Sequence, residues 1–173
     1  MKFQSSPRQI ALAAITLSAM ATLPAVGQTI NEDFKILPND GRIFDEFGGS
    51  VAVSGTTAVV GAVRDDGSGS YSGSAYLFDT TTGLQIAILL PNDGVAWDWF
   101  GRSVAISGNT AIVGAMQDDD NGNGSGSAYL FDTTTGQQTA KLLPNDGESW
   151  DEFGVSVAIN GTTAVVGAFQ DDD

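Results

Sequence analysis

The loop Asp118-Asp119-Asp120-Asn121-Gly122-Asn123-Gly124 concentrates side-chain oxygens as no other stretch of this sequence does. Asp119, Asn121 and Asn123 followed by Gly124 match the first half of a calcium loop, in which alternate side chains present oxygens to a hard cation and glycine allows the sharp turn. Asp118 and Asp120 flank that set. The twelfth position is Leu130, so the closing bidentate carboxylate is missing, and the corresponding loop Asp65-Asp66-Gly67-Ser68-Gly69-Ser70 keeps only two acids. Two readings stand, a solvated polar loop or a weak calcium site, and no other cofactor is indicated.

A second set of candidates comes from three short loops, Arg42-Ile43-Phe44-Asp45-Glu46, Val95-Ala96-Trp97-Asp98-Trp99 and Glu148-Ser149-Trp150-Asp151-Glu152. An aromatic residue and an Asp keep their places while their neighbours change. Exposed aromatic rings beside carboxylates can stack on sugars or anchor a protein partner. The alternative is architectural: Phe44, Trp97 and Trp150 plug gaps between structural units, and Asp45, Asp98 and Asp151 cap turns. Trp99, where the other copies have Glu, fits that alternative least.

The chain has no His and no Cys, which removes Ser-His-Asp and Cys-His catalysis, disulfides, and sites for zinc or iron built on imidazole or thiolate. Paired carboxylates such as Asp98 and Asp151 could in principle act on glycosides. That chemistry needs one acid protonated and the other ionised, whereas near-identical copies tend to give near-identical environments. The expectation is a non-enzymatic protein, with a segment of a propeller-type polysaccharide hydrolase or lyase as the alternative.

All these loops belong to one repeating unit. The stretch that begins at Phe100 recurs 53 residues earlier from Phe47 and 53 residues later from Phe153, and residues 47–94 match residues 100–147 at 35 of 48 positions without a gap. Copies this alike are one supersecondary unit used repeatedly. Within a unit, residues 50–54, 57–63, 74–79 and 84–90 read as short strands rich in β-branched and aromatic residues, separated by Gly, Asn, Asp and Pro. Four strands joined up-and-down are the content of a propeller blade. In Ala75-Tyr76-Leu77-Phe78 both faces of the strand are apolar, so both must be covered, as happens when blades stack face to face. A sandwich or β-solenoid is the competing architecture.

The elements Phe-Gly-x-Ser-Val-Ala, Val-Gly-Ala and Gly-Ser-Ala-Tyr-Leu-Phe resemble the FG-GAP repeats of integrin α-chains and of exported bacterial proteins. The resemblance covers residues 35–173 and is specific at Phe47-Gly48, Gly61-Ala62, Phe100-Gly101, Gly114-Ala115, Phe153-Gly154 and Gly167-Ala168. It implies an all-β fold of propeller blades, each of four antiparallel strands, and a binding or adhesive role with no catalytic residues to transfer. Two departures matter. Val63, Met116 or Phe169 stands where the family has Pro after Gly-Ala, and the Asp-rich calcium loop of integrin-type repeats is absent between the Phe-Gly and Gly-Ala elements, so that site is not carried over.

The repeats are expected at about 35–87, 88–140 and 141–173, beginning with a lone fourth strand over residues 34–38 and giving an incomplete array of about 11 strands, or about two and three-quarter blades, against the usual 4–8. A fragment, or a ring closed by self-association of several chains, would account for it. Residues 1–27 read as a signal peptide: Lys2 and Arg8 form a basic start, residues 10–23 are apolar, and Ala25-Val26-Gly27 supplies small residues for cleavage. The apolar run falls short of the roughly 20 residues of a membrane span. The remaining segment, 28–173, would then be secreted or held at the cell envelope, with no membrane insertion. A net charge of −14 repels phosphate backbones and anionic lipid, which excludes nucleic acid as a partner and leaves a protein or carbohydrate ligand outside the cell.

Overall fold

The computed structural model describes residues 35–172, all of whose regular structure is strand. The expected signal peptide, residues 1–27, lies outside these residues. The first blade consists of β1 (Phe47–Ser54), β2 (Thr57–Ala62), β3 (Ser74–Asp79) and β4 (Gln85–Leu89) in spatial order β1-β2-β3-β4, every neighbouring pair antiparallel. The second repeats it with β5 (Phe100–Ser107), β6 (Thr110–Ala115), β7 (Ser127–Asp132) and β8 (Gln138–Leu142). The third copy supplies the hairpin of β9 (Ser156–Asn160) and β10 (Thr163–Gly167). The fold is all-β and built from up-and-down blades.

Turn chemistry sets the register. β1 and β2 are joined through Gly55-Thr56, with Ser54 opposite Thr57 and Gly55 at φ 58°, the glycine-first pattern of a type II′ hairpin. Between β3 and β4, Asp79 Oδ1 accepts the amides of Thr81 at 2.7 Å and Thr82 at 3.2 Å, and Asp132 does the same for Thr134 and Thr135. These amide hydrogen bonds hold both carboxyls below the ordinary carboxylate range.

The two faces of β3 are covered as its alternation requires. Ala75 and Leu77 join Val59 and Leu89 against Phe100, Ile106, Val113, Tyr129 and Phe131 of the second blade. Tyr76 and Phe78, on the opposite face, pack with Val60, Ala62, Phe47 and Ile36.

Two expectations need correction. Residues 35–38 form no strand: they run alongside the first blade without a ladder, and Ile36, 2% exposed, is buried by side-chain packing instead. The first strand of each four-stranded blade starts at the Phe of Phe-Gly, three residues before the expected Ser50 in the first, because a bulge between Phe47 and Ser50, repeated between Phe100 and Ser103, lets the ladder continue past two unpaired residues.

Candidate functional site: the seam and its rim loops

The seam between blades explains the residues that recur. A side chain at Gly61 would lie 2.1 Å from the Gly101 carbonyl oxygen, and one at Gly114 would lie 1.9 Å from that of Gly154. Only glycine allows this approach. The same carbonyls accept the hydroxyls of Ser50 at 2.8 Å and Ser103 at 2.7 Å. Gly73 and Gly126 form parallel bridges to Phe100 and Phe153. Each Phe then meets the aromatics of its own third strand edge-on: Phe47 lies 5.6 Å from Tyr76, and Phe100 lies 5.6 Å from Tyr129.

The rim loops hang on this seam. The amides of Trp97 and Phe100 donate to Ser70 and Ser72, and those of Trp150 and Phe153 to Asn123 and Ser125, all at 2.9 Å. Within each loop the Asp turns inward. Asp98 is 2% exposed and accepts the Val95 amide at 2.7 Å; Asp151 accepts that of Glu148 at 2.6 Å, and Asp45 that of Arg42. These carboxylates close turns. Desolvation raises Asp45 and pushes Asp98 up to about 6, further than the Val95 hydrogen bond lowers it.

The aromatic residues turn outward. Phe44, Trp97 and Trp150 are 76%, 57% and 52% exposed, and their φ values are 79°, 77° and 78°. Bulky residues seldom adopt such φ, which costs on the order of 1–3 kcal/mol each. Trp97 stacks on Tyr71 with ring centroids 4.7 Å apart, and the Trp150 ring lies over Gly124. The rings thus rest on the preceding blade's loop, and more than half of each remains exposed. Trp99 differs: it is half-buried at φ 56°, and its Nε1–H is shielded and has no acceptor among the described residues.

The Asp/Asn loop is drawn together by its own groups. Asp119 Oδ1 accepts the Gly124 amide at 2.7 Å, the Asn121 amide donates to Ser125 Oγ, and Asn121 Nδ2 donates to the Pro144 carbonyl. Asn123 contributes its carbonyl to Trp150. Asp118 and Asp120 point to Lys141, whose Nζ lies 3.0 and 2.7 Å from them and 2.8 Å from Asp93. Burial opposes the Lys141 charge, but hydrogen bonds to Asp120, Asp93 and Asp118 outweigh it and hold the ammonium above its ordinary range. Asp118 is lowered: desolvation works against its charge, and hydrogen bonds from Tyr129 and Lys141 prevail. Lys141 thus balances the charge of Asp118 and Asp120, while Asp119 Oδ1 is engaged by the Gly124 amide. Among the described residues no three His, Cys, Asp or Glu side chains are grouped to hold a metal.

A family model for the FG-GAP repeat matches residues 30–78, 84–131 and 137–173. The chain belongs to the FG-GAP repeat family. No curated protein matches it. The FG-GAP signature coincides with the inter-blade seam: Gly101 and Gly154 are the glycines of Phe-Gly, and Gly61 and Gly114 those of Gly-Ala. Its motif residues therefore hold blades together, and chemistry must be sought in the loops and in positions where the copies differ.

Three such positions escape a motif search. Lys141 stands where the first blade has Ile88. Arg64 and Arg102 line a cleft of ≈ 310 Å³ at the first seam, together with Trp99 and Glu46. Comparison of the copies is the signal that finds them.

Proposed function

We propose that this FG-GAP repeat chain is an exported, non-catalytic binding module, adhesive or scaffolding in role, that contacts a carbohydrate chain outside the cell through its rim aromatics. One observation carries the reading. Phe44, Trp97 and Trp150 are held outward on strained backbone at the same place in successive repeats. Strain of this kind collects at ligand-contact positions, and aromatic faces stack on sugar rings. A row at repeating pitch matches a polymer of sugar rings better than the single central cluster of a protein interface, and weak repeated contacts gain by avidity. The basic start and apolar stretch within residues 1–27 support export. The rim Asp residues have no reach to a substrate, since Asp98 and Asp151 are buried against their own loops.

The test is affinity electrophoresis of the chain in gels containing soluble neutral polysaccharides such as xylan, galactan and mixed-linkage glucan. Retardation by at least one polymer is expected, and Trp97→Ala with Trp150→Ala abolishes it while the melting temperature holds. Retardation that survives both substitutions, or none with any polymer, refutes the reading. Retention on a protein partner instead would move the ligand to that class.

A further inference from the structure

We infer that the cleft at the seam of the two four-stranded blades is a carboxylate subsite, which takes the acid group of an acidic sugar between Arg64 and Arg102. The assignment deepens the sugar-binding reading above and rests on it.

The cleft collects the differences between copies. Blade one contributes Glu46, Gly49, Val63 and Arg64, and blade two contributes Trp99 and Arg102. These six residues represent four positions of the repeat, and all four vary: Glu46, Trp99 and Glu152 are equivalent, as are Gly49, Arg102 and Val155, then Val63, Met116 and Phe169, then Arg64, Gln117 and Gln170. Only Gly101, the remaining lining residue, has the same identity in every copy. Against 35 identities in 48 positions between the first two copies, variation gathered in one cleft marks a surface shaped separately from the blade.

The direction of the differences is chemical. At this seam one Glu becomes Trp, a Gly becomes Arg, and Arg replaces the Gln of the other copies. The cleft holds two positive charges, Arg64 and Arg102, against one negative, Glu46, in a chain with 7 basic residues against 21 acidic ones. Arg64 is 3.1 Å from Glu46, but with both side chains 46% exposed that pair is weak and easily exchanged. Arg102 makes no ion pair among the described residues. Guanidinium groups offer paired N–H donors that match a carboxylate, and Trp99 provides an aromatic wall. A volume of ≈ 310 Å³ suits a small ligand such as a single sugar residue.

The net charge narrows the ligand further. A long polyanion would be repelled by the surrounding acidic surface. A lone carboxylate on an otherwise neutral glycan is not, because at physiological salt charges more than about 8 Å away are largely screened. The occupant is thus a uronate residue within a sparsely charged chain.

The test titrates the full chain with galacturonic acid, its neutral methyl ester and acetate, following the three tryptophan indole N–H signals by NMR. Galacturonate is expected to shift the Trp99 signal with a millimolar Kd, and the ester and acetate to bind at least tenfold more weakly. Arg64→Gln and Arg102→Val install residues that other copies carry, and each should weaken galacturonate about tenfold without lowering the melting temperature. Trp97→Ala and Trp150→Ala should leave this titration intact while abolishing neutral-polysaccharide binding, so each claim fails separately. Equal affinity for acid and ester overturns the subsite on the parent chain alone, whatever the variants do. No galacturonate binding, acetate binding as tightly, unaffected arginine variants, or tighter binding of a glutamate-containing peptide also overturns it.

Discussion

Asp98→Asn should stabilise the protein at pH 8 and leave it almost unchanged near pH 4. Asp98 is 2% exposed, and its carboxylate accepts the Val95 amide. Desolvation raises its carboxyl from 3.8 to about 6, with the negative charges of Asp118 and Asp119 adding to the rise and Lys141 opposing it. A carboxyl that holds its proton more tightly in the folded chain favours folding fully below pH 3.8. That contribution fades as pH rises and is gone above about pH 6, because between the two values the folded state binds more protons than the unfolded one. The interval corresponds to about 3 kcal/mol. Asparagine can keep accepting from Val95 through Oδ1 and carries no charge to desolvate.

The assay is urea unfolding of parent and variant at pH 4.0, 5.0, 6.0 and 8.0. Their difference should grow by about 2–3 kcal/mol across that range, somewhat less than the full interval because pH 4.0 already lies just above the unfolded value of 3.8. Subtracting the parent curve removes carboxylates common to both chains. A constant offset would mean that Asp98 titrates normally, and that burial of the rim loop is less complete than the structure indicates. An offset that shrinks as pH rises would show that the charge is favourable there, and would refute the desolvation argument.

Gly114→Ala should cost more than about 3 kcal/mol or prevent folding, since its new methyl would lie 1.9 Å from the Gly154 carbonyl oxygen; Gly108→Ala, with nothing within 4 Å but φ 56°, should cost only about 1 kcal/mol. Thermal melting of the pair reads this directly, and equal losses would dissolve the link between the repeat motif and the seam. Lys141→Ile should lose about 3 kcal/mol at pH 7 by leaving Asp118 buried without its cation, and progressively less in acid as the Asp118 carboxyl, held below its ordinary range despite its burial, takes up its proton. The reciprocal Ile88→Lys places an ammonium near the equivalent Asp40 and Asp65 and should gain about 1 kcal/mol in urea unfolding at pH 7.

How much of this was legible depended on whether a residue's role is local. Strand alternation and turn residues are local, so β2, β3 and β4 lie within one residue of the ranges read from sequence at each end. The start of β1 is not, because the ladder resumes at Phe47 opposite Ala62 only after a bulge that leaves Gly48 and Gly49 unpaired. Likewise Ile36 has strand-like chemistry but no ladder; burial of its side chain against Tyr76 and Phe78 gives it a place in the core without backbone pairing. The rim loops were legible as a pair of residue types, yet the sequence left open which of the pair faces out. Left-handed φ at Trp97 and Trp150 turns the rings to solvent while Asp98 and Asp151 close the turns beneath. In the Asp/Asn loop the sequence could not show that Lys141, distant along the chain, pairs with Asp118 and Asp120.

A repeat protein lets its own copies serve as controls for one another. Where copies agree, as at Gly61 and Gly114 or Ser50 and Ser103, the shared residues meet the next blade at nearly the same distance. Agreement therefore reports the constraint of stacking and says nothing of a ligand. Where copies differ, the second seam holds the alternatives, with Gln117 and Val155 at the places of Arg64 and Arg102. Arg64 and Arg102 could be Gln and Val without loss of the seam, so their presence together with Trp99 needs a cause other than folding. The same reasoning separates the two charged clusters: Lys141 answers carboxylates from its own blade and its approach loop, which makes it architectural, whereas Arg102 makes no ion pair among the described residues. A cation with no ion-pair partner among the described residues, beside an aromatic wall at a seam, is available to an anion from outside.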